Sequence, residues 1–434
     1  MSASDTARAM KLICCQSGLR GEVTIPGSKS HTIRAVAIAS LAEGESVIRA
    51  PLESNDTWAA VEAYRALGAG IQTEAGRWRV RGTGGKVRAP DNVIDVRNSG
   101  VTLHTAMGAC CLLREGLAVL TGDEQIRRRP AGPLAASLND LGARVRSTRA
   151  TGTAPFVVEG RLRGGETTVD GTSSQWVTGL LIGAPLGDGD SVIRVSNLNE
   201  APYVEMTLDW LRRQGIQFEN DGLTELRVPG GQTYQPVDRS IPADWSSATF
   251  FLGAGAAGDN DIVLRGLDMS DTQGDKAVVD YLDRMGVQVE VEGGGIRVRA
   301  GELVGCELDL NATPDALPMM AVLGCFARGT TRLVNVPQAR IKECDRITAM
   351  ASELGKLGGR AEELPDGLVV HESKLRGAEV ESYGDHRMVM ALAVAGCAIP
   401  GTTVVHGAEA AAVTFPGFAE SMKALGADLV IQKD

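Results

Sequence analysis

One short pattern occurs six times along this chain: a helical stretch ends at a glycine and a strand-like run follows at once. The six segments read YRALGAGIQ, LNDLGARVR, LRRQGIQFE, LDRMGVQVE, ELGKLGGRA and MKALGADLV. Their glycines recur about every 70 residues, which is the signature of an internal repeat. These glycines are Gly68, Gly142, Gly215, Gly286, Gly358 and Gly426. A glycine in this place predicts a helix C-terminus that needs a left-handed residue without a β-carbon.

Upstream of each of these helices lies a second recurring piece, a helix rich in small residues followed by a turn and a β-branched strand. Copies of it read LIGAPLGDGDSVIRV, FLGAGAAGDNDIVLRG and LGCFARGTTRLVN. The whole unit therefore reads βαβαββ. Because small residues let helices pack closely, we predict that these helices are buried and that the sheets lie outside them. The predicted fold class is α/β (α+β) of an inside-out kind.

Six copies in 434 residues exceed what one hydrophobic core usually supports. We predict two globular domains of three repeats each, the first spanning 28–240 and the second combining 1–27 with 241–434. The crossings near residues 27 and 241 are then hinges, and the cleft between the domains is the expected active site. A solenoid is the alternative, but helices that are apolar on most sides need cover from several directions, which favours two globes.

The overall charge restricts the partners that this chain can bind. The formal net charge is −10 and the pI about 5.2, which argues against nucleic acid and anionic membranes as partners. Any anion site must therefore be local. The eight cysteines show no C-x-x-C spacing, so they predict neither a zinc site nor a disulfide framework and fit the reducing cytoplasm. We expect no metal and no cofactor.

Three segments of the first half combine cations with hydroxyls. The segment IPGSKSHTIRA places Lys29 between two serines, with Arg34 five residues further on. It is not a Walker P-loop, but hydroxyls, helix-start N–H groups and a lysine can hold a phosphate; a capped helix with solvated charges is the alternative. In TSSQWVTGLL the two serines predict either a double cap or a phosphate cradle. In RRRP we expect at least one arginine of 127–129 to point inward or into the cleft, where a guanidinium suits a carboxylate or phosphate; a solvated charged face is the alternative.

The second half carries the candidate carboxylates. In QARIKECDRITAM, Lys342 and Arg346 would be neighbours at i and i+4 on a helix, which predicts a cation pair facing an anionic ligand. In SYGDHRMVMALAVAG, polar groups directly precede an apolar helix. Asp315 begins another buried helix, where capping and catalysis both remain open. Together these segments predict a cleft that holds two anionic small molecules and carboxylates for proton transfer.

From about Leu12 to Val430 the chain resembles the enolpyruvyl transferases, and among them the branch that uses shikimate 3-phosphate. The motifs that carry this resemblance are PGSKS-x-T-x-R, NSG, RRP, SSQ, PYV, the aspartate at 315, KE-x-DR and DHR. The resemblance implies two domains of three βαβαββ units joined by two crossings. It also implies transfer of the enolpyruvyl group of phosphoenolpyruvate to the 5-hydroxyl of shikimate 3-phosphate, with release of phosphate, by an enzyme that we expect to be monomeric.

The resemblance also implies a role for each matching side chain. Asp315 would take the proton of the attacking hydroxyl, and Glu343 would exchange a proton with the methylene carbon of phosphoenolpyruvate. Lys29 and His386 would complete the catalytic group. The residues matched to shikimate 3-phosphate are Lys29, Ser30, Arg34, Ser173, Ser174, Gln175, Tyr203, Asp315, Gln338 and Lys342. Those matched to phosphoenolpyruvate are Lys29, Gly100, Arg129, Gln175, Arg346 and Arg387.

Four positions depart from the family pattern, one of them Ala201, where the family often has a basic residue. The family usually has an arginine where this chain has His104, a serine where it has Glu200, and a lysine where it has Val413. Glu200 supports a second hypothesis, a transferase that uses another hydroxylated acceptor. Val413 supports a third, a ligand-binding protein without turnover.

Overall fold

The computed structural model describes residues 10–433. Contacts divide them into two compact units, which we call the first unit (27–242) and the second unit (10–26 together with 243–433). The predicted limits at residues 1 and 434 lie outside the described residues.

The chain begins with two strands that belong to the second unit, β1 (Met10–Cys15) and β2 (Arg20–Thr24). The first unit then runs in the order α1 (Lys29–Leu41), β3 (Glu45–Arg49), α2 (Asn55–Ala66), β4 (Gly70–Glu74), β5 (Arg77–Arg81), β6 (Ile94–Asp95), α3 (Gly100–Cys110), β7 (Leu117–Thr121), α4 (Gly132–Asp140), β8 (Arg144–Ser147), β9 (Phe156–Glu159), β10 (Gly165–Asp170), α5 (Ser174–Gly183), β11 (Ser191–Ser196), α6 (Ala201–Arg213), β12 (Glu219–Asp221), β13 (Glu225–Val228) and β14 (Asp238–Ser240).

The remainder of the second unit runs in the order α7 (Trp245–Ala256), β15 (Asp261–Arg265), α8 (Val278–Arg284), β16 (Gln288–Glu292), β17 (Gly295–Arg299), β18 (Glu307–Asp309), α9 (Leu317–Phe326), β19 (Thr330–Val334), α10 (Arg346–Lys356), β20 (Arg360–Leu364), β21 (Gly367–His371), β22 (Glu379–Glu381), α11 (His386–Ala398), β23 (Thr402–His406), α12 (Phe418–Ala424) and β24 (Asp428–Lys433). Short 3-10 helices cover Ala184–Leu186, Gly274–Ala277, Pro314–Ala316, Pro337–Ile341 and Ala408–Val413.

The described strands form six four-stranded sheets that share one topology. The sheets of the first unit have the orders β14-β3-β5-β4, β6-β7-β9-β8 and β10-β11-β13-β12, and those of the second have the orders β16-β17-β15-β2, β18-β19-β21-β20 and β22-β23-β1-β24. In each sheet the repeat's first strand pairs in parallel with its second, as β6 does with β7 through Ile94↔Leu120, and the other pairs are antiparallel. The predicted βαβαββ unit is confirmed.

Distant strands complete three of the repeats. The strand β14 pairs in parallel with β3 and closes the first repeat of the first unit. In the second unit, β2 pairs in parallel with β15, and β1 lies between β23 and β24. The strands β2 and β14 lie next to the predicted hinges. Each of them therefore completes a sheet whose other strands come from a distant part of the sequence.

The first helix of each repeat is the buried one. Every residue of α3 and of α7 is buried, and so is nearly all of α1, α5, α9 and α11. The second helix of each repeat has an exposed side, as in α10, where Arg346 and Ile347 are buried while Thr348 is exposed. Buried helices with sheets outside them are what the small-residue pattern predicts, so the inside-out fold class is confirmed.

The six repeat glycines occupy equivalent positions after the second helix. All of them have positive φ, between 71° and 108°. Residues with a β-carbon avoid this region because of steric contact with the backbone, so the prediction of left-handed helix ends is confirmed.

The buried helices of the first unit approach each other so closely that a side chain would not fit. A β-carbon on Gly108 of α3 would lie 2.2 Å from the carbonyl oxygen of Gly179 on α5. We predict that Gly108→Ala lowers the free energy of unfolding by about 1–3 kcal/mol, because the helices must move apart. A β-carbon on Gly355, in the last turn of α10, would meet nothing within 4 Å, so Gly355→Ala should raise it by about 0.5–1 kcal/mol. Guanidinium chloride unfolding measures both changes, and equal stability of Gly108→Ala and wild type would contradict the close approach.

Candidate active site

Lys29 is the first residue of α1 and is paired with a carboxylate. Its Nζ lies 3.2 Å from Oδ2 of Asp56, and the two side chains are 12% and 4% exposed. Asp56 lies in the first turn of α2, where the helix dipole favours a negative charge. Ser28 caps α1 by accepting from the backbone N–H of His31, and Ser30 is half-buried beside Lys29. The lysine is therefore held by an ion pair at the start of a buried helix.

Arg34 lies one turn further along α1 and is buried. Its Nε and Nη2 donate to the hydroxyls of Thr207 and Thr178, and its guanidinium also donates to the carbonyl oxygens of Ser30 and Tyr203. Burial lowers the pKa of Arg34 to about 10. This side chain therefore connects α1 with α5 and α6. These contacts orient the beginnings of the two helices, which carry Ser174 and Tyr203.

Gly100, Arg129 and Gln175 lie together in the first unit. A β-carbon on Gly100, the first residue of α3, would lie 3.0 Å from Nη2 of Arg129 and from Oε1 of Gln175. Of the three consecutive arginines, Arg129 is thus the one that points inward, while Arg128 is exposed and pairs with Glu124. A side chain at position 100 would therefore crowd both the arginine and the amide.

The two predicted serines begin α5, but they do not form a double cap. Ser173 occupies the N-cap position without a side-chain capping bond, and Ser174 Oγ donates to Oε2 of Glu200 at 2.5 Å. Tyr203 lies in the first turn of α6, one turn after Glu200, and is half-buried. The starts of α5 and α6 thus bring the predicted hydroxyls together with a carboxylate.

In the second unit, Arg346 binds three carboxylates. It is buried, and its guanidinium donates to Asp315 at 2.6 Å, to Glu343 at 2.7 Å and to Asp385 at 2.7 Å. Burial alone would lower the pKa of Arg346, but the charges of Asp385, Glu343 and Asp315 raise it well above its ordinary value. This permanent cation therefore contacts both carboxylates that are expected to transfer protons.

Asp315 is held between two arginines. Its second oxygen lies 2.9 Å from Nη2 of Arg387 and accepts from Ser246 Oγ at 3.3 Å. Arg387 also donates to the backbone oxygen of Ser246 and lies over the ring of Phe250. His386, beside Arg387 at the start of α11, is buried, with Nδ1 4.0 Å from Oδ1 of Asp385. The structure thus brings Asp315, Glu343, Arg346, His386 and Arg387 into one cluster.

The prediction that Lys342 and Arg346 are helical neighbours is wrong. Asp345 caps α10 by accepting from the N–H groups of Ile347 and Thr348, so the helix begins at Arg346. Lys342 precedes the helix and follows the 3-10 turn Pro337–Ile341. Gln338 lies within that turn, is buried and donates to the backbone oxygen of Asn311 at 2.9 Å. Both predicted residues therefore lie on the segment that leads into α10.

Glu353, a buried carboxylate on α10, holds the segment that leads to Asp385, His386 and Arg387. Glu353 accepts from the backbone N–H of Glu381 at 2.8 Å and from the Tyr383 hydroxyl at 2.7 Å. Tyr383 has a φ of 55°, in the left-handed region, so its backbone is strained. With Arg346 bound to Asp385, the helix fixes this loop at two points.

Sequence reasoning missed the roles of Asp56, Asp385 and Ser246. Their segments, SNDTWAAV, SYGDHR and ADWSS, show only the polar residues that any helix start requires. Of the four departures from the family pattern, His104 is buried on α3 and Glu200 contacts Ser174. Ala201 begins α6 and Val413 ends a 3-10 turn, and both are half-buried. Glu200 is thus the departure that touches a hydroxyl of the predicted site directly.

The described residues, 10–433, contain no group of three or more histidine, cysteine, aspartate or glutamate side chains placed to hold a metal ion. Over the same range, no helix combines the length and the apolar character that crossing a membrane needs. None of the eight cysteines, all of them described, is in a disulfide.

Comparison with known proteins relates this chain to one family. The family model for EPSP synthase (3-phosphoshikimate 1-carboxyvinyltransferase) matches residues 14–422. The chain is 51% identical over 414 residues to the 3-phosphoshikimate 1-carboxyvinyltransferase of Acetivibrio thermocellus, covering 95% of this chain and 98% of the relative. It is 48% identical over 411 residues to that of Ruminiclostridium cellulolyticum, covering 95% and 97%.

Solved structures agree with these relatives. The EPSP synthase of Acinetobacter baumannii has a TM-score of 0.82 at 26% identity, covering 98% of this chain and all of that one. The enolpyruvyl transferase NikO of Streptomyces tendae shares the fold, with a TM-score of 0.79. A match over nearly the whole length, and relatives with about half of their residues identical, identify this chain as a member of the EPSP synthase family.

Proposed function

We propose that this chain transfers the enolpyruvyl (1-carboxyvinyl) group of phosphoenolpyruvate to the 5-hydroxyl of shikimate 3-phosphate and releases phosphate. Membership of the EPSP synthase family and relatives of that name at 51% identity support this function. The observation in the structure that carries it is the position of Asp315, whose carboxylate lies between Arg346 and Arg387. Glu343 also pairs with Arg346. Two carboxylates beside fixed cations suit a reaction that moves two protons between anionic reactants.

The proposed chemistry balances with these two carboxylates. Asp315 accepts the proton of the 5-hydroxyl as that oxygen bonds to C2 of phosphoenolpyruvate, and Glu343 gives a proton to the methylene carbon. The bond between C2 and the phosphate oxygen then breaks, and the departing phosphate keeps its electrons and takes the proton held by Asp315. Glu343 takes back a proton from the methyl group, which restores the double bond. Arg346 and Arg387 stabilise the negative charge on the departing phosphate.

In the described state these arginines contact protein carboxylates, so we propose that the phosphoenolpyruvate anion takes over donors that now hold Asp315 and Glu343. Arg129, beside Gly100 and Gln175, is proposed to bind the same substrate. The serines at the start of α5, Lys29 and Tyr203 are proposed to bind shikimate 3-phosphate, with Gln338 and Lys342 from the other unit. Arg34 is proposed to act by orienting these groups, since its donors are engaged by protein oxygens.

Each unit carries only part of the required chemistry. The described cluster of the first unit has the serines and Lys29, whereas Asp315 and Glu343 belong to the second unit. We therefore propose that the reaction needs residues of both units. We also propose that the enzyme works as a monomer in the cytoplasm, where free thiols such as those of its eight cysteines persist.

The direct test is release of phosphate from phosphoenolpyruvate by the purified protein in the presence of shikimate 3-phosphate. We expect release that depends on both substrates, together with a product that carries one added enolpyruvyl group in mass spectrometry. Release with another hydroxylated acceptor, but not with shikimate 3-phosphate, would replace the proposed acceptor. Tight binding of both substrates without any release would mean that the protein is a ligand-binding relative without turnover.

A further inference from the structure

The carboxylate of Glu200 lies within the predicted acceptor-binding region. Glu200 is only 2% exposed and precedes α6, with a φ of 57° in the left-handed region. It occupies the N-cap position but makes no side-chain capping bond. Capping, the ordinary reason for a polar residue at a helix start, therefore does not explain this buried acid.

The contact that Glu200 makes with Ser174 changes what this serine can offer a ligand. Ser174 Oγ donates to Oε2 of Glu200 at 2.5 Å, a short distance typical of a hydroxyl bound to a charged carboxylate. A serine hydroxyl has one hydrogen, so Ser174 presents only lone pairs to anything else that binds there. A phosphate group carries only acceptors when it is fully ionised, and it needs donors.

Three other charged side chains of the first unit have partners of their own. Arg34, from α1, is engaged with Thr178, Thr207 and the carbonyl oxygen of Tyr203. Lys29, also from α1, pairs with Asp56. Asp170, at the end of β10, accepts from the N–H and hydroxyl of Thr172, two residues before Ser174, and adds a further negative charge. Of these carboxylates, Glu200 is the one that contacts Ser174 at the start of α5.

We propose that Glu200 is a specificity-determining residue that weakens the binding of a phosphorylated acceptor through Ser174. The family usually has a serine at this position, which would add a hydroxyl where this chain adds a carboxylate. Binding a phosphate dianion then requires that Ser174 be released from Glu200 and that two like charges come close together. This inference rests on the proposed function, because it assigns the start of α5 to shikimate 3-phosphate.

Two variants test the proposal in different ways. Glu200→Gln removes the charge and keeps the size and an acceptor for Ser174, while Glu200→Ser introduces the usual family residue. We expect both variants to lower the KM for shikimate 3-phosphate by roughly tenfold, because one like charge is removed near the phosphate. The KM for phosphoenolpyruvate should change less than about twofold, since the serine that Glu200 engages is assigned to the acceptor. Isothermal titration with shikimate 3-phosphate should show the same gain in Kd.

Glu205→Gln is the matched control, because it removes the same charge from the same helix at a side chain that is 43% exposed. It should leave both KM values unchanged. An unchanged or higher KM for shikimate 3-phosphate in both folded Glu200 variants would overturn the proposal, and circular dichroism shows whether they fold. Absence of turnover in the wild type would instead overturn the proposed function, so the two failures are distinguishable.

Discussion

Asp315→Asn is expected to lower kcat about a thousandfold, because the variant retains the shape of the side chain but can no longer accept the proton of the attacking hydroxyl. Asparagine still offers an oxygen to the nearer arginine, so the contact of 2.6 Å with Arg346 can persist in part. Substrate binding should therefore change far less than turnover. Single-turnover phosphate release measures the loss, and titration calorimetry measures the Kd of each substrate.

The matched control for this prediction is Asp309→Asn. Asp309 lies six residues earlier and also accepts hydrogen bonds, from the backbone of Asn311 and the side chain of Asn335, but it is exposed. Its amide variant should keep wild-type kcat and KM values. If Asp315→Asn retained turnover within threefold of wild type, Asp315 would not be the base. If it instead lost phosphoenolpyruvate binding in proportion to kcat, its main role would be to hold the arginines.

Much of the fold could be predicted because the sequence repeats the same structural pattern six times. Each of six segments carries the same succession of a small-residue helix, a β-branched strand and a helix ending at glycine, so an error in one copy is corrected by the other five. The glycines illustrate this: Gly215 and Gly426 differ in all their neighbours except the helix pattern, yet both have positive φ. The pairing of strands that are far apart in the sequence was harder to predict, since nothing in the short strand β14 indicates that it pairs with β3.

The contacts within the site could be predicted only in part, because they join residues that are close in space through the repeat and not through local spacing. Lys29 and Asp56 come from the two helices of one repeat, and so do Ser174 and Glu200. Sequence motifs single out the cations, the serines and the carboxylates of Asp315, Glu343 and Glu200. They do not show that Asp56 pairs with Lys29 or that Asp385 accepts from Arg346. Local rules also misled in one place, where a helical spacing of Lys342 and Arg346 overlooked the cap at Asp345.

Arg346→Ala is expected to have the second large effect, on binding and on stability together. The guanidinium is 1% exposed and contacts three carboxylates, of which Asp385 is fully buried. Removing one partner of a buried ion pair leaves uncompensated charge and typically costs about 3–5 kcal/mol. We expect the variant to unfold at lower denaturant concentration, and we expect Arg332→Ala, which removes an exposed arginine paired with Glu307, to change stability by less than about 1 kcal/mol.

The kinetic consequence distinguishes a ligand contact from a purely structural one. If Arg346 binds phosphoenolpyruvate, Arg346→Ala should raise the KM for this substrate by tenfold or more, and should raise the KM for shikimate 3-phosphate much less. Arg346→Lys should restore part of the stability, because it returns a positive charge. It should not restore the KM for phosphoenolpyruvate, because an ammonium group lacks the planar fork of donors with which a guanidinium binds several carboxylates and a substrate. The assays are run at a temperature where circular dichroism shows each variant folded. A larger rise in the KM for shikimate 3-phosphate than for phosphoenolpyruvate would show that Arg346 belongs to the acceptor's pocket.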